Sequence, residues 1–460
     1  MTDLAYLAQR PGAGEPRAYQ FPPFEHRRLD NGLTIVSAHL DGRPLLAAQL
    51  ILEGGAGVEP AALAGVTALL ARSLPEGTQD RDAVAFVEAA ERLGAEIHAD
   101  AGWETLVATA EVPRRHLAPA LELMAEMVLR PALPAHEVDR LREERLNDLL
   151  QAAAEPRRRV ERAFSATVYA PDVPYARPLG GDEETVPRLD RAALADRHAA
   201  ILDPRQATLV VAGDLSDIDL PAVVGAAFGA WKADGPLPIR EPLPDTAAPR
   251  RVVLVDRPGA AQSEVRIGHV GLPRRIDDFH AVAVMSVILG GLFDSRLQRL
   301  LREERGYTYG IGAGFDFRRS AGPFAVRTAV QTEVTGPAIS DTLGELRRIG
   351  TVPISSEELA EARDFLIGVF PLRFEVAAQV VGAISGLVVH DLPDDELDRY
   401  RPAVAALTAD EVQAAGARHV RPDEASIVIV GDASAVVPQL DVAGVGPIEV
   451  VAEAPAPAVV

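Results

Sequence analysis

The segment ILDPRQATLVVAGDLS at 201–216 returns as HVRPDEASIVIVGDAS at 419–434, 218 residues further on. Pro204 answers Pro422, Gly213 answers Gly431, Asp214 answers Asp432 and Ser216 answers Ser434, with superposable apolar runs between them. Between the copies lies Gly235–Arg250, GPLPIREPLPDTAAPR, with five prolines in sixteen residues. Proline removes backbone donors and stiffens the chain, so this run reads as an extended linker that cuts the chain almost in half. An echo on either side of such a linker makes the chain a two-copy duplication, not a solenoid array. The expected organisation is an N-terminal extension (1–24), a first domain (25–234), the linker (235–250), a second domain (251–450) and a tail (451–460).

Within the first half, Leu33–Ala38 and Leu45–Leu52 read as strands around a turn at Asp41–Pro44. Ile97–Ala99 and Thr105–Val112 return to strand character. Ala61–Ser73, Asp82–Leu93, Arg115–Val128, His136–Ala153 and Arg157–Val168 space their apolar residues as helices do. Strands paired as meanders with helices bunched between them predict an α+β fold. It consists of two homologous tandem domains, each an antiparallel-rich sheet with helices on one face. With 460 residues, 48% apolar and 25% charged, each half has material for its own core.

Composition closes several routes to function. Acids outnumber bases 67 to 46, a net charge of −21, which argues against nucleic-acid or anionic-membrane partners. No cysteine is present, so disulfides, iron–sulfur clusters, thiolate zinc sites and cysteine nucleophiles are excluded. The longest charge-free apolar stretches, Phe279–Phe293 and Val376–Val389, fall short of the roughly 20 residues that span a bilayer. The first residues, MTDLAYLAQRPGAGEPR, lack the basic and apolar regions of a secretory signal, and the expected location is the cytoplasm. There is no phosphate-binding G-x-x-x-x-G-K-[ST] loop and no G-x-S-x-G elbow. The ten histidines form no helical metal-binding pair. The Glu/Arg cluster Arg140–Arg145 reads as a solvated helix face with side-by-side opposite charges.

The stretch from His280 to Phe317 carries more. His280–Glu304 reads as helix with a break near Gly290-Gly291, and Gly306 supplies a C-terminal stop. Tyr307–Phe317 alternates bulky residues (Tyr307, Tyr309, Ile311, Ala313, Phe315, Phe317) with small or polar ones, the period of a strand. Its glycine face would let another backbone come close. A helix-end arginine and a phenol just past the turn could then converge on one point.

Residues 288–314, ILGGLFDSRLQRLLREERGYTYGIGAG, resemble the C-terminal-domain signature of the pitrilysin/insulinase family of zinc peptidases, the inverted zincins. The matches fall at Leu289-Gly290-Gly291, Ser295-Arg296-Leu297, Leu301-Arg302-Glu303, Gly306 and Tyr309. Val255–Gly268, Asn31-Gly32-Leu33, Gly54-Gly55 and the Pro204…Gly213-Asp214 element are similar to the family too. The resemblance runs over residues 25–450 and implies that the two domains form half of a clamshell. It implies roles for Arg302 and Tyr309 as catalytic groups that reach the substrate carbonyl from the second domain. It also marks Gly290, Gly291, Ser295 and Gly306 as substrate-binding positions.

The departure lies in the first domain. The family's zinc helix, G-x-x-H-x-x-E-H, falls on Gly65–Arg72, where Ala68 and Arg72 replace both histidines and Ala71 replaces the base glutamate. Downstream, REERLND (142–148) offers only Asp148 near the third-ligand position. Zinc needs about three deprotonated ligands, so no metal and no cofactor is expected in this chain. Some bacterial relatives split the work between two chains, and this sequence resembles the type that keeps the arginine–tyrosine pair. The implied partner is a homologous zinc-motif subunit in a heterodimer whose substrate is a peptide or small unfolded polypeptide, with the zinc in that partner. An extended substrate would add to a sheet edge. A silent peptide-binding or scaffold protein of the same fold is the alternative, and pseudo-symmetric surfaces make a homodimer possible when the chain is alone.

Overall fold

Among the described residues twelve strands form two six-stranded sheets, and the inner four strands of each repeat close to the spacing of the sequence echo. The computed structural model describes residue 14 and residues 17–233, 235–237 and 239–452. The first sheet contains β1 (Phe24–Arg28), β2 (Thr34–His39), β3 (Leu45–Glu53), β4 (Glu96–Ala101), β5 (Thr105–Pro113) and β6 (Ala207–Gly213). The second contains β7 (Val252–Asp256), β8 (Gln262–Val270), β9 (Ile311–Phe315), β10 (Pro323–Gln331), β11 (Ser426–Gly431) and β12 (Ile448–Val451). The strand orders are β1-β2-β6-β3-β5-β4 and β12-β7-β11-β8-β10-β9. β2 starts at 34 and β7 at 252, β5 at 105 and β10 at 323, each pair 218 residues apart. In both sheets the inner four strands pair alike, with one parallel contact (β2 with β6, β7 with β11) among antiparallel ones. The residues of the echo close both copies with one local turn. Ser216 Oγ donates to Asp214 at 2.6 Å, and Ser434 Oγ donates to Asp432 at 2.6 Å.

Each sheet carries its own helices on one face, as expected, and the opposite face is covered by a helix from the other half. Along β3, Leu46, Ala48, Leu50 and Leu52 face the first half's helices, while Ala47 and Ile51 face Ala377–Val389 of the second half. Along β11, Ile427 and Ile429 face inward to their own helices. Val428 and Val430 meet Val160, Phe164 and Val168 from the first half's helix Pro156–Val168. A strand buried on both faces needs apolar residues at consecutive positions, which is why TLVV and SIVIV run unbroken. The exchange includes an ion pair. Arg266 on β8, 2% exposed, donates to Glu161 of the donated helix at 2.7 Å and contacts Glu264 at 3.2 Å.

The linker is not a free spacer at its C-terminal end. Ala170 N–H donates to Thr246 O at 3.0 Å and Ala248 N–H to Val168 O at 2.9 Å, so the chain runs alongside the donated helix's end. At the other boundary β1 already starts at Phe24. The segment before it crosses to the second half, where Phe21 N–H donates to Asp398 at 3.0 Å and the Phe21 ring packs edge-on against Phe374. Most of the extension at 1–24 and of the tail at 451–460, with the leader-free reading of the first residues, lies outside the described residues. Among the described residues no single helix is long and apolar enough to cross a membrane.

Candidate functional site

The degenerate zinc helix spans Val66–Ser73, shorter than the Ala61–Ser73 expectation because Gly65 breaks it with φ +94°. A Cβ on Gly65 would lie 2.5 Å from the carbonyl oxygen of Gly180, so only glycine fits. The helix start is capped by buried Glu59, which accepts from Gly65 N–H (2.6 Å), Thr67 N–H (3.0 Å) and Thr67 Oγ1 (2.8 Å). Burial pushes the Glu59 carboxyl up, against those hydrogen bonds.

Where the helix would present metal ligands it presents none. Ala68 is half-buried, Ala71 is buried, and Arg72 is exposed and donates to Glu144 at 2.8 Å. Arg140 joins the cluster, reaching Glu76 at 2.9 Å and Glu137 at 2.6 Å. Burial works against it, yet Arg140 and Arg72 hold the Glu144 carboxyl below its ordinary pKa. Asp148 is claimed by Arg145 (2.5 Å) and Arg158 (2.8 Å), which outweigh burial and depress its pKa in the same way. A dication would have to displace guanidinium groups from both carboxylates, so these residues do not fit zinc. Among the described residues no group of three or more His, Asp or Glu side chains could hold a metal ion. The Arg140–Arg145 cluster is thus more than a solvated face: it ties this helix across the degenerate site.

In the second half, Phe279–Ser286 is α-helical and then widens into π-type turns over Val287–Gly291 and Gln298–Glu304. Widened turns shift the register of side chains around a helix and are frequent at functional sites. Gly290 is buried, and a Cβ there would lie 2.5 Å from the Ala313 nitrogen. Gly290 therefore lets the helix end press onto β9, which gives it a packing role; Gly291 is exposed. The close backbone approach expected of the strand's glycine face is made by this helix glycine instead.

Ser295 is buried with its Oγ lacking a hydrogen-bond partner, and Ser295 N–H donates to Leu292 O at 3.2 Å to close a turn. Arg296 is buried too and grips Glu358 of the Ser356–Val369 helix through Nε (2.6 Å) and Nη2 (3.0 Å). Burial would raise the Glu358 carboxyl, but Arg296 and the Ser355 backbone hold it at about 2. Gly306, φ +66°, ends the helix, with Tyr307 N–H donating to Leu301 O at 2.9 Å in a Schellman-like closure.

Past that turn the expected strand Tyr307–Phe317 shortens to Ile311–Phe315. Thr308 Oγ1 donates to Ala329 O at 2.7 Å and receives Gly310 N–H at 3.0 Å, bonds that replace ladder pairing and kink the chain. Tyr307 packs on the core with Ile311, Ala313 and Phe315, but Tyr309 turns out and is 93% exposed. Arg302 is partly buried and its guanidinium lies over the Phe293 ring, 4.1 Å from the centroid. Among the described residues it has no carboxylate or hydrogen-bond partner. The pair thus offers a guanidinium whose N–H edges are open and a phenol in solvent, on either side of one turn. Phe293, 59% exposed, stands against this arginine, and sequence reasoning passed over it. Its signal was a large apolar side chain at the end of the charge-free stretch Phe279–Phe293, next to Asp294 and Ser295.

A separate cleft of about 410 Å³ lies between the halves under the linker, lined by Trp103, Leu243 and His390. Its charges are largely spent on one another. Glu53 takes Arg319 at 2.6 Å and Arg240 at 2.8 Å, and Arg240 also reaches Asp391 at 2.8 Å. These bonds sew the two halves and the linker together.

Two tandem sheets, an emptied metal helix and an open arginine–tyrosine turn define the class: a peptidase-fold chain without the metal chemistry of a peptidase. Comparison with known proteins agrees. The family model "Insulinase (Peptidase family M16)" matches residues 34–182, and "Peptidase M16 inactive domain" matches residues 188–366. A Mycobacterium tuberculosis protein described as an uncharacterized zinc protease is 25% identical over 88% of this chain and 92% of its own. A Helicobacter pylori protein described as the non-peptidase homolog YmxG is 23% identical over 72% of this chain and 76% of its own. The crystal structure of a peptidase M16 inactive domain from Pseudomonas fluorescens has a TM-score of 0.80 and 25% identity, covering 89% of this chain and 98% of that one. This chain belongs to the pitrilysin/insulinase family, M16, among its members of the inactive type.

Proposed function

We propose that this chain is the metal-free subunit of a heterodimeric zinc peptidase acting in the cytoplasm on peptides or small unfolded polypeptides. The observation that carries this reading is Arg302: its guanidinium has no carboxylate partner among the described residues and rests on an exposed ring. In a chain whose other guanidinium groups so often pair with Asp or Glu, an open one, followed across one turn by an exposed tyrosine, is suited to binding substrate. Arg302 and Tyr309 would donate hydrogen bonds to the scissile carbonyl oxygen as it gains negative charge, where one such donor is worth about 10²–10³ in rate. Zinc, the attacking water and the base would come from a homologous subunit carrying H-x-x-E-H. Of the four positions marked as substrate-binding, Gly290 and Ser295 are buried and serve the site through packing and turn geometry. Gly291 and Gly306 are exposed and open to a peptide. The free edge of β9 offers backbone groups to an extended peptide.

The test is hydrolysis of a quenched-fluorescent peptide library by this chain, by the zinc-motif homologue, and by the mixture. Activity confined to the mixture, and lowered about 10²–10³-fold by Arg302→Ala, is the expected result. Full activity in the homologue alone, unchanged on mixing, would make this chain a scaffold or peptide binder.

A further inference from the structure

Resting on the reading of Arg302 above, we infer that Phe293 is the positioning residue for that guanidinium. It is a stacking shelf that keeps the cation in place and leaves its hydrogen-bonding edges for substrate. The ring sits 4.1 Å below the Arg302 guanidinium and is the one partner of that group among the described residues. The other three arginines of this motif are held otherwise: Arg296 by Glu358, Arg299 within 4.0 Å of the same carboxylate, and Arg305 by Asp341 at 2.9 Å. A carboxylate would hold an arginine more firmly, but it would consume the donors and cancel the charge that an oxyanion needs. An aromatic face attracts the cation through its quadrupole and takes no N–H bond. The ring is exposed, yet its backbone is not loose. Leu289 and Gly290 are buried before it, Ser295, Arg296 and Leu297 are buried after it, and Ser295 N–H closes the turn on Leu292 O. A side chain on a clamped turn, open to solvent and bearing on one cation, has the placement of a shelf and lacks the burial of a core residue.

The inference is tested first on the full chain by NMR of arginine Nε–Hε groups, with the Arg302 signal assigned by its loss in Arg302→Lys. Ring current should displace that signal in the wild type and in Phe293→Tyr, and the displacement should vanish in Phe293→Leu, which keeps apolar bulk without the ring. In the paired enzyme, Phe293→Leu should lower kcat about fivefold, which is about 1 kcal/mol at 1.4 kcal/mol per factor of ten, and Phe293→Tyr should restore it. An undisplaced Arg302 signal would overturn the shelf. So would wild-type kcat in Phe293→Leu alongside a strong loss in Arg302→Ala. If Arg302→Ala itself costs nothing, the catalytic reading fails instead, and the NMR result alone decides the stacking.

Discussion

At position 72 a guanidinium closes the helix face where zinc-binding relatives place an imidazole, and it has recruited Glu144 as a partner. The third-ligand position has gone the same way, since Asp148 is shared by Arg145 and Arg158. Restoring the motif letters alone should therefore not restore the metal. The triple variant Ala68→His, Ala71→Glu, Arg72→His should retain well under one zinc per chain after dialysis, measured by elemental analysis. Adding Arg145→Ala and Arg158→Ala should raise that occupancy. His269 on β8 gives a residue-scale prediction of another kind. Its Nδ1–H donates to Val270 O at 2.8 Å and its Nε2 accepts Arg421 N–H at 3.0 Å, so the neutral ring is wired on both sides. Burial, with Arg421 adding to it, lowers its pKa from 6.5 to about 4. A pKa lowered by folding contributes stability above the unfolded value and loses it as pH falls. The unfolding free energy from urea titrations should thus drop between pH 6.5 and 4 by an amount on the order of 2 kcal/mol from this ring, and His269→Gln should make that slope shallower.

For the elements, the helix-to-strand passage 287–315 shows how a motif does two jobs. Gly290 and Arg296 hold the passage against β9 and against the Ser356–Val369 helix, while Phe293, Arg302 and Tyr309 project from it. Gly290→Ala forces a Cβ onto the Ala313 backbone, and overpacking of this kind costs about 1–3 kcal/mol. A lowered thermal midpoint is expected from it, whereas Gly291→Ala, whose Cβ would meet the Ser286 carbonyl oxygen at 3.3 Å, should cost less.

Across the whole molecule the reciprocal donation of helices makes the halves interdependent. Helix Pro156–Val168 buries Val160, Phe164 and Val168 on the second sheet, and helix Ala377–Val389 returns the favour on the first. Thermal unfolding should be one cooperative transition despite two cores. The fragment 25–234 on its own should bind a hydrophobic dye and lack sharp tertiary signals, because one face of its sheet and one apolar helix stripe stand bare. A fragment with native-like dispersion in its NMR spectrum would contradict this.

Much of this was legible in the chain. The duplication, the main strands of the first copy and the strand of the echo rest on local periodicity and a repeated Asp–Ser turn, and the loss of the zinc ligands rests on residue identity at the positions of the family motif, none of which needs a partner distant in sequence. The helix exchange was not legible, because an amphipathic stripe such as Val160, Phe164 and Val168 states that it will be buried but not against which sheet. The strand expected to begin at Tyr307 failed for the same kind of reason. Thr308 bonds to Ala329, 21 residues away, and that bond turns Tyr309 out into solvent. Nor could spacing reveal that Arg302 rests on Phe293, since a π-widened helix changes which residues share a face. Residue chemistry and short-range pattern are carried by the chain locally; the choice among equivalent partners is made when the chain closes on itself.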